Sequence, residues 1–281
     1  MLPPRLIDGL CEIAHDHDAL ICDIWGVVHN GHAPFPEAAE ALRQFRRTRG
    51  PVILLSNAPR PPGSVEDQFR RIGVATDCYD AIITSGGAAR IELAARAGRG
   101  APPSLYYIGP EQDTGVLEGL DIRRVGISDA DVALCVGLVD DLTETPDDYS
   151  DILASMRAKN LTMLCANPDL KVYRGSQLCW CAGALAREYE AIGGSVTYFG
   201  KPYPAIYDTA LEAAGRPPRA LAIGDALVTD LKGAQVAGLE ALFIADGLHG
   251  EEIEPYTAQH LGEMFEAAGV GAKAAMRALK W

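Results

Sequence analysis

Apolar runs of four or five residues recur along this chain, and three of them end on polar residues suited to chemistry. Ala19-Leu20-Ile21-Cys22 runs into Asp23, Pro51-Val52-Ile53-Leu54-Leu55 into Ser56-Asn57, and Ala220-Leu221-Ala222-Ile223 into Gly224-Asp225. Short continuous apolar runs bounded by turn residues read as strands buried on both faces, the signature of a parallel sheet covered by helices. Helical patterns alternate with them. One starts at Pro36, has Ala39, Leu42 and Phe45 on its apolar side, and is expected to stop at Gly50. A second is expected from Ser64, with Ser64 and Asp67 as a capping box. Residues 79–84 and 241–245 read as further strands, 204–214 and 230–238 as helices, and the tail over 256–279 as a closing helix.

The middle of the chain repeats the alternation on its own. Residues 104–108, 132–136 and 161–165 read as strands and 148–159 as a helix. No domain fits between Asp23 and Ser56, but roughly 140 residues separate Ser56 from Lys201, enough for a domain of ordinary size. The expected organisation is a core of residues 1–85 and 187–281 with a second α/β unit, residues 86–186, inserted in it.

Groups at the carboxyl ends of parallel strands converge on one crevice. Asp23, Ser56 and Asp225 occupy such ends, Asp230 follows five residues after Asp225, and Lys201 stands in Phe199-Gly200-Lys201-Pro202. Two carboxylates, a hydroxyl and a lysine meeting in one crevice suit a divalent cation and a phosphoryl group. Each motif alone is weak, since Gly-Asp and Ser-Asn are common turn pairs. Their order along one chain is the stronger signal.

In these motifs the chain resembles the haloacid dehalogenase superfamily, class IIA, the group related to nucleotide, sugar and 4-nitrophenyl phosphatases. The resemblance implies a Rossmann-like parallel-sheet core with an inserted α/β cap of the C2 type. It implies Asp23 as nucleophile, Ser56 and Asn57 as phosphate-binding groups, and Lys201 as the charge-balancing lysine. Magnesium would be held by Asp23, the Trp25 backbone carbonyl and Asp225, with Asp230 in support. Asn167-Pro168-Asp169 matches the cap loop that shapes specificity, so Asn167 and Asp169 are expected to meet substrate; its plain reading is a strand-ending turn. Arg174, a few residues on, could meet a substrate anion or be merely exposed. Gly86-Gly87 could cradle phosphate, although a hinge between core and cap suits it better.

One position departs from the pattern. Phosphatases of this superfamily carry a second aspartate two residues after the nucleophile as general acid and base, and here that residue is Trp25. A backbone carbonyl survives the exchange, so the metal set is intact. Proton transfer to the leaving group is lost, an effect of about 10²–10⁴-fold in rate. His29 and His32, in the loop after the nucleophile, are the candidates to supply that proton instead.

The reading is therefore a magnesium-dependent hydrolase of a small phosphorylated metabolite, working through an aspartyl-phosphate. The alternatives are a catalytically weakened binding protein using the same pocket, or a hydrolase of another bond. A phosphonatase would need a cap lysine, for which Lys159 and Lys171 are the candidates, neither in a clear catalytic context. A dehalogenase does without magnesium, against which Asp225 argues.

Composition sets outer limits. The chain has 281 residues, 48% hydrophobic and 22% charged, and a formal net charge of −13. That acidity excludes a nucleic-acid backbone as partner, because phosphate binding needs a basic face. No apolar run approaches the ~18 residues of a membrane span and the N-terminus has no signal-peptide pattern, so no membrane partner is expected. Seven scattered cysteines, several inside apolar runs, fit a reducing cytoplasm. The resemblance leaves a homodimer open.

Overall fold

The computed structural model describes residues 3–98, 102–174, 177–247 and 253–281. Strand β1 (Arg5–Leu6) and helix α1 (Cys11–Ala14) precede β2 (Ala19–Asp23), α2 (Pro36–Thr48), β3 (Val52–Ser56), α3 (Pro62–Ile72) and β4 (Ala81–Thr84). Helix α4 (Ser85–Ala97) leads to β5 (Ser104–Ile108), β6 (Arg123–Arg124), β7 (Val132–Cys135), α5 (Ser150–Ala158) and β8 (Thr162–Cys165). The antiparallel pair β9 (Lys171–Arg174) and β10 (Gln177–Trp180) is followed by α6 (Ala182–Ala191) and β11 (Ser195–Tyr198). Then come α7 (Pro204–Ala213), β12 (Ala220–Gly224), α8 (Lys232–Val236), β13 (Glu240–Ile244), α9 (Ala258–Ala268) and β14 (Ala274–Met276).

The chain divides into two compact units, one of Met1–Ser56, Gly63–Ile83 and Lys201–Trp281, the other of Asn57–Pro62 and Thr84–Gly200. The first holds a seven-stranded sheet in the order β1-β14-β13-β12-β2-β3-β4. Its pairings from β1 through β3 are parallel. Strands β2 and β12 lie at its centre and are buried along all five residues, as a sheet with helices on both faces requires. On one face Ile21, Ile53 and Leu55 pack against Ile206, Tyr207 and Ala210 of α7. On the other, Ala222 and Phe243 pack against Leu261 and Phe265 of α9, and the two phenylalanine rings meet edge to face at 5.2 Å. Truncating a buried phenylalanine such as Phe265 to alanine costs about 3–5 kcal/mol.

The second unit has its own five-stranded sheet, ordered β11-β8-β7-β5-β6 and parallel throughout. Leu153 and Met156 of α5 and Leu185 and Tyr189 of α6 cover one face. Ala89 and Leu93 of α4 cover the other, against Leu105, Leu134 and Leu164.

Several elements differ from the sequence reading. Strand β11 pairs with β8, and residue 187 lies inside α6, so the second unit runs to Gly200 and not to 186. It also takes in Asn57–Pro62 ahead of α3. Helix α3 begins at Pro62, which places Ser64 within the helix and removes the expected capping box. The tail is α9 plus a strand: Ala274–Met276 pairs between β13 and β1 and extends the core sheet. Gly50 follows a helix that ends at Thr48, and its lack of a side chain answers the Asp18 carbonyl, against which a Cβ would collide. Gly86 and Gly87 form the first turn of α4. Thr84 Oγ1 caps the Gly87 N–H at 2.9 Å, and Gly86 N donates to Ala58 O at 3.0 Å. A Cβ on Gly86 would enter the Pro59 carbonyl, so close packing of the 57–62 segment explains this glycine.

Candidate active site

Three adjacent strands of the first unit deliver the predicted groups. β2 ends in Asp23, β3 in Ser56, and Asp225 follows β12, with Cys22 opposite both Ile223 and Leu54 in register. Lys201 precedes α7, and Asp230 lies in a π-helical turn over Leu227–Leu231 ahead of α8. Wide π turns of this kind recur at functional sites. Asp23, Lys201, Asp225 and Asp230 are all buried, at 8%, 4%, 5% and 4% exposure.

Lys201 Nζ donates to Asp23 Oδ1 at 2.5 Å and to Asp230 Oδ1 at 2.7 Å. The second Asp230 oxygen accepts from the Ala226 N–H at 3.1 Å. Asp230 thus orients the lysine. The turn can fold this tightly because residue 224 is glycine, whose missing Cβ leaves room for the Asp230 side chain. Burial, then the neighbouring Asp230 charge, pushes Asp23 well above the usual carboxylate range, and Lys201 opposes the shift. Burial acts to lower Lys201, but Asp23 and Asp230 outweigh it and keep the ammonium protonated well beyond its ordinary value.

Oxygens of Asp23, Asp225 and Asp230 lie within 4.8 Å of one another, the group of potential metal ligands found among the described residues. Three carboxylates gathered in a buried place concentrate negative charge, which is costly unless compensated. Hard oxygen donors of this number suit magnesium or calcium. The donor set therefore fits a divalent cation.

Trp25 is turned into its own loop. Its backbone bridges to His29, and Gly26 N donates to His29 O at 2.9 Å. The indole meets the His29 ring edge to face at 5.4 Å, His29 meets Phe69 at 5.6 Å, and Phe69 meets Tyr79 at 5.8 Å. Gly31, at φ +87°, lies under the far edge of the indole; a Cβ there would sit 3.0 Å from Cζ2 and Cζ3 and closer to Cη2. The indole Nε1 is buried without a hydrogen-bond partner among the described residues. Trp25 is thus the end of an aromatic row that braces the loop after Asp23.

His29 belongs to that row and not to the acid–base chemistry. It is buried, its Nδ1 accepts the Gly31 N–H at 2.8 Å, and burial lowers its pKa to about 4. A neutral imidazole with Nδ1 occupied as acceptor carries its proton on Nε2 and gives it up poorly near neutrality. His32 is exposed on the same loop. Lys171 lies 3.9 Å over the Trp180 ring and Lys159 bonds the Ser128 carbonyl, so neither stands ready as a Schiff-base lysine.

Asn57, Asn167 and Asp169 belong to the second unit, where they meet. Asn57 Nδ2 donates to Asp169 Oδ1 at 2.8 Å, and the Asp169 N–H donates to Asn167 Oδ1 at 3.0 Å. Ser85 Oγ reaches Asn57 Oδ1 at 3.4 Å, a partner that the sequence signalled only by its place after a strand. The side chain of Arg174 lies outside the described residues.

Two family models match the chain. One, described as haloacid dehalogenase-like hydrolase, matches residues 20–123, and the other, described as HAD-hydrolase-like, matches residues 198–266. A solved hydrolase of the haloacid dehalogenase-like family from Brucella suis 1330 is 38% identical, with a TM-score of 0.81 over 99% of this chain and 100% of that one. The D-glycerol 3-phosphate phosphatase of Mycobacterium tuberculosis is 29% identical over 240 residues, 85% of this chain. The chain spans 65% of that relative's length. A glycerol phosphate phosphatase from the same organism, solved in complex with magnesium, is 26% identical with a TM-score of 0.65, over 89% of this chain and 77% of that one.

Proposed function

Because the chain belongs to the haloacid dehalogenase-like hydrolases, we propose that it is a magnesium-dependent phosphatase of a small phosphorylated metabolite, with the second unit serving as a C2-type cap. The observation that carries this reading is the buried group of Asp23, Asp225 and Asp230 around Lys201 at the ends of parallel strands. Two phosphatase relatives support it, one of them solved with magnesium. Asp23, the Trp25 carbonyl and Asp225 would hold the ion, which when bound offsets charge on the transferring phosphoryl group.

The chain's own groups do the rest. Lys201 holds Asp23 Oδ1, fixing the carboxylate so that Oδ2 attacks phosphorus. The bond to the leaving oxygen breaks with its electron pair, giving an aspartyl-phosphate. Water then attacks the phosphorus, releasing phosphate and restoring Asp23. Ser56 and the Asn57 backbone position the phosphoryl oxygens, and Asn167 and Asp169 select the substrate body. Asp230 keeps Lys201 in place.

Trp25 supports a second reading, a binding protein of weakened catalysis, since it leaves no carboxylate at the acid position. A panel of phosphorylated metabolites with magnesium, run on the parent and on Asp23→Asn, separates the two. Hydrolysis by the parent alone supports the phosphatase; binding without hydrolysis by either supports the rival.

None of the seven cysteines is in a disulfide among the described residues and six of them are buried, which supports a reducing cytoplasm as the place of action. No helix among the described residues is long and apolar enough to cross a membrane. A homodimer is the remaining expectation, which sedimentation of the purified chain tests.

A further inference from the structure

We propose that Gly247 is a positioning residue for the Asp225 carboxylate, a seat that only a residue without a side chain can provide. Gly247 lies in the turn after β13. A Cβ built on it would lie 2.6 Å from Asp225 Cγ and closer still to Asp225 Cβ and Oδ2. All three nearest atoms belong to that one side chain. Gly247 does not adopt a positive φ, so its backbone would accept an ordinary L-residue. What demands glycine here is the carboxylate and not the turn.

The backbone on each side of the contact is tied down. β13 and β12 are hydrogen-bonded with Gly224 opposite Phe243, which fixes the backbone that leads into Asp225. Beyond β13, Ala245 N donates to Met276 O at 2.9 Å and Asp246 N to Arg277 O at 2.8 Å. Arg277 Nη1 also holds Asp246 Oδ1 at 3.1 Å. The turn is thereby tied to β14 and its following residues. Asp225 Cβ is among the atoms that a methyl group at 247 would strike, so turning the side chain alone gives no relief; the backbone must shift, and with it the Asp225 oxygens leave their place beside those of Asp23. β14 acquires a purpose in this account, because it anchors the wall behind a carboxylate of the site.

The consequence for metal binding rests on the proposed role of Asp225 as a ligand, whereas the steric coupling of 247 to 225 does not. The experiment uses Gly247→Ala, Asp225→Gly and the double variant of the full chain, with magnesium chloride as the only ligand. Calorimetric titration without substrate should show magnesium bound about 10–100-fold more weakly by Gly247→Ala than by the parent, the size of effect typical of groups that orient metal ligands. Thermal unfolding without metal should show Gly247→Ala lowering the midpoint in the parent background and having little effect once Asp225 is glycine, which removes every atom the new methyl group would strike, so that the double-mutant cycle isolates the contact. Equal midpoint losses in both backgrounds would overturn the seat. Parent-like magnesium affinity in Gly247→Ala, with Asp225→Gly impaired, would overturn it too. Parent-like affinity in Asp225→Gly would overturn the ligand role instead and leave the seat to stand or fall on the midpoints. Should Gly247→Ala not fold, recovery of folding in the double variant supports the seat, and failure there as well overturns it.

Discussion

Lys201 Nζ lies 2.5 Å from Asp23 Oδ1, and both groups are almost fully withdrawn from water. Such a pair is weak evidence for stability, because taking two charges out of water costs as much as their attraction returns. Its value lies in aim. The lysine spans Asp23 and Asp230 at once, so the direction of Asp23, the proposed nucleophile, depends on a residue more than two hundred positions away in the chain.

Removing Lys201 should therefore damage both chemistry and folding. Lys201→Ala leaves two buried carboxylates facing each other, and breaking a buried pair costs about 3–5 kcal/mol. Turnover should fall by about 10²–10³-fold, as for loss of a group that stabilises developing charge. Urea denaturation with and without magnesium checks the first effect, and the ion should restore part of the loss. Steady-state kinetics checks the second.

The polar groups of the 167–169 loop should govern choice of substrate more than chemistry. Asp169→Ala removes the acceptor for the Asn57 amide, and Asn167→Ala removes the acceptor for the Asp169 N–H. Both variants should lose more on bulky phosphoesters than on a minimal ester such as 4-nitrophenyl phosphate. Rates on the two kinds of ester, compared as ratios to the parent, test it; equal losses on both would contradict the assignment.

Leaving-group dependence should be steep. An indole N–H gives up no proton near neutrality, so aryl or acyl phosphates should turn over far faster than alkyl phosphates, by a margin on the order of the 10²–10⁴-fold that general acid help supplies. His29→Asn, which keeps an acceptor for Gly31 N–H, should leave that steepness unchanged, since His29 is a buried neutral member of the aromatic row. A leaving-group series on parent, Trp25→Asp and His29→Asn is the check, with the slope flattening only in Trp25→Asp.

Stability should fall in mild acid through a residue far from this chemistry. His17 is buried with no hydrogen bond to either ring nitrogen among the described residues. Glu240 faces it at 3.6 Å, with Asp16, Lys273 and Arg219 also in its field. Burial, aided by the Lys273 charge, lowers its pKa against the opposing carboxylates. A depressed pKa contributes stability that is present above the unfolded value of ~6.5 and lost as pH falls through the lower folded value. Denaturation midpoints from pH 7.5 downward should show a decline beginning near pH 6.5 that is shallower in His17→Phe.

The sequence revealed the strand ends well because each is an apolar run broken by one polar residue, as at Asp23, Ser56 and Asp225. Burial forces that pattern, so it can be read without coordinates. β14 could not be read, since Ala274-Ala275-Met276 is too short to carry a period. β11 hid for the opposite reason: it edges its sheet and alternates exposed with half-buried positions in a polar stretch. The Trp25 side chain was unreadable in principle, because its place depends on a positive φ at Gly31 and on Phe69 two elements away. Lys201 and Asp230 stand out beside the strand-end motifs, but their roles come from the resemblance and their contact belongs to tertiary packing alone.

The measurement that bears most directly on the account is the fate of the phosphoryl group. Parent protein with magnesium, mixed with 4-nitrophenyl phosphate and quenched in acid within one turnover, should yield a peptide bearing Asp23 that is heavier by one phosphoryl group, and Asp23→Asn should yield none and release no nitrophenol. Turnover by Asp23→Asn at the parent rate, with no labelled peptide from either protein, would contradict it.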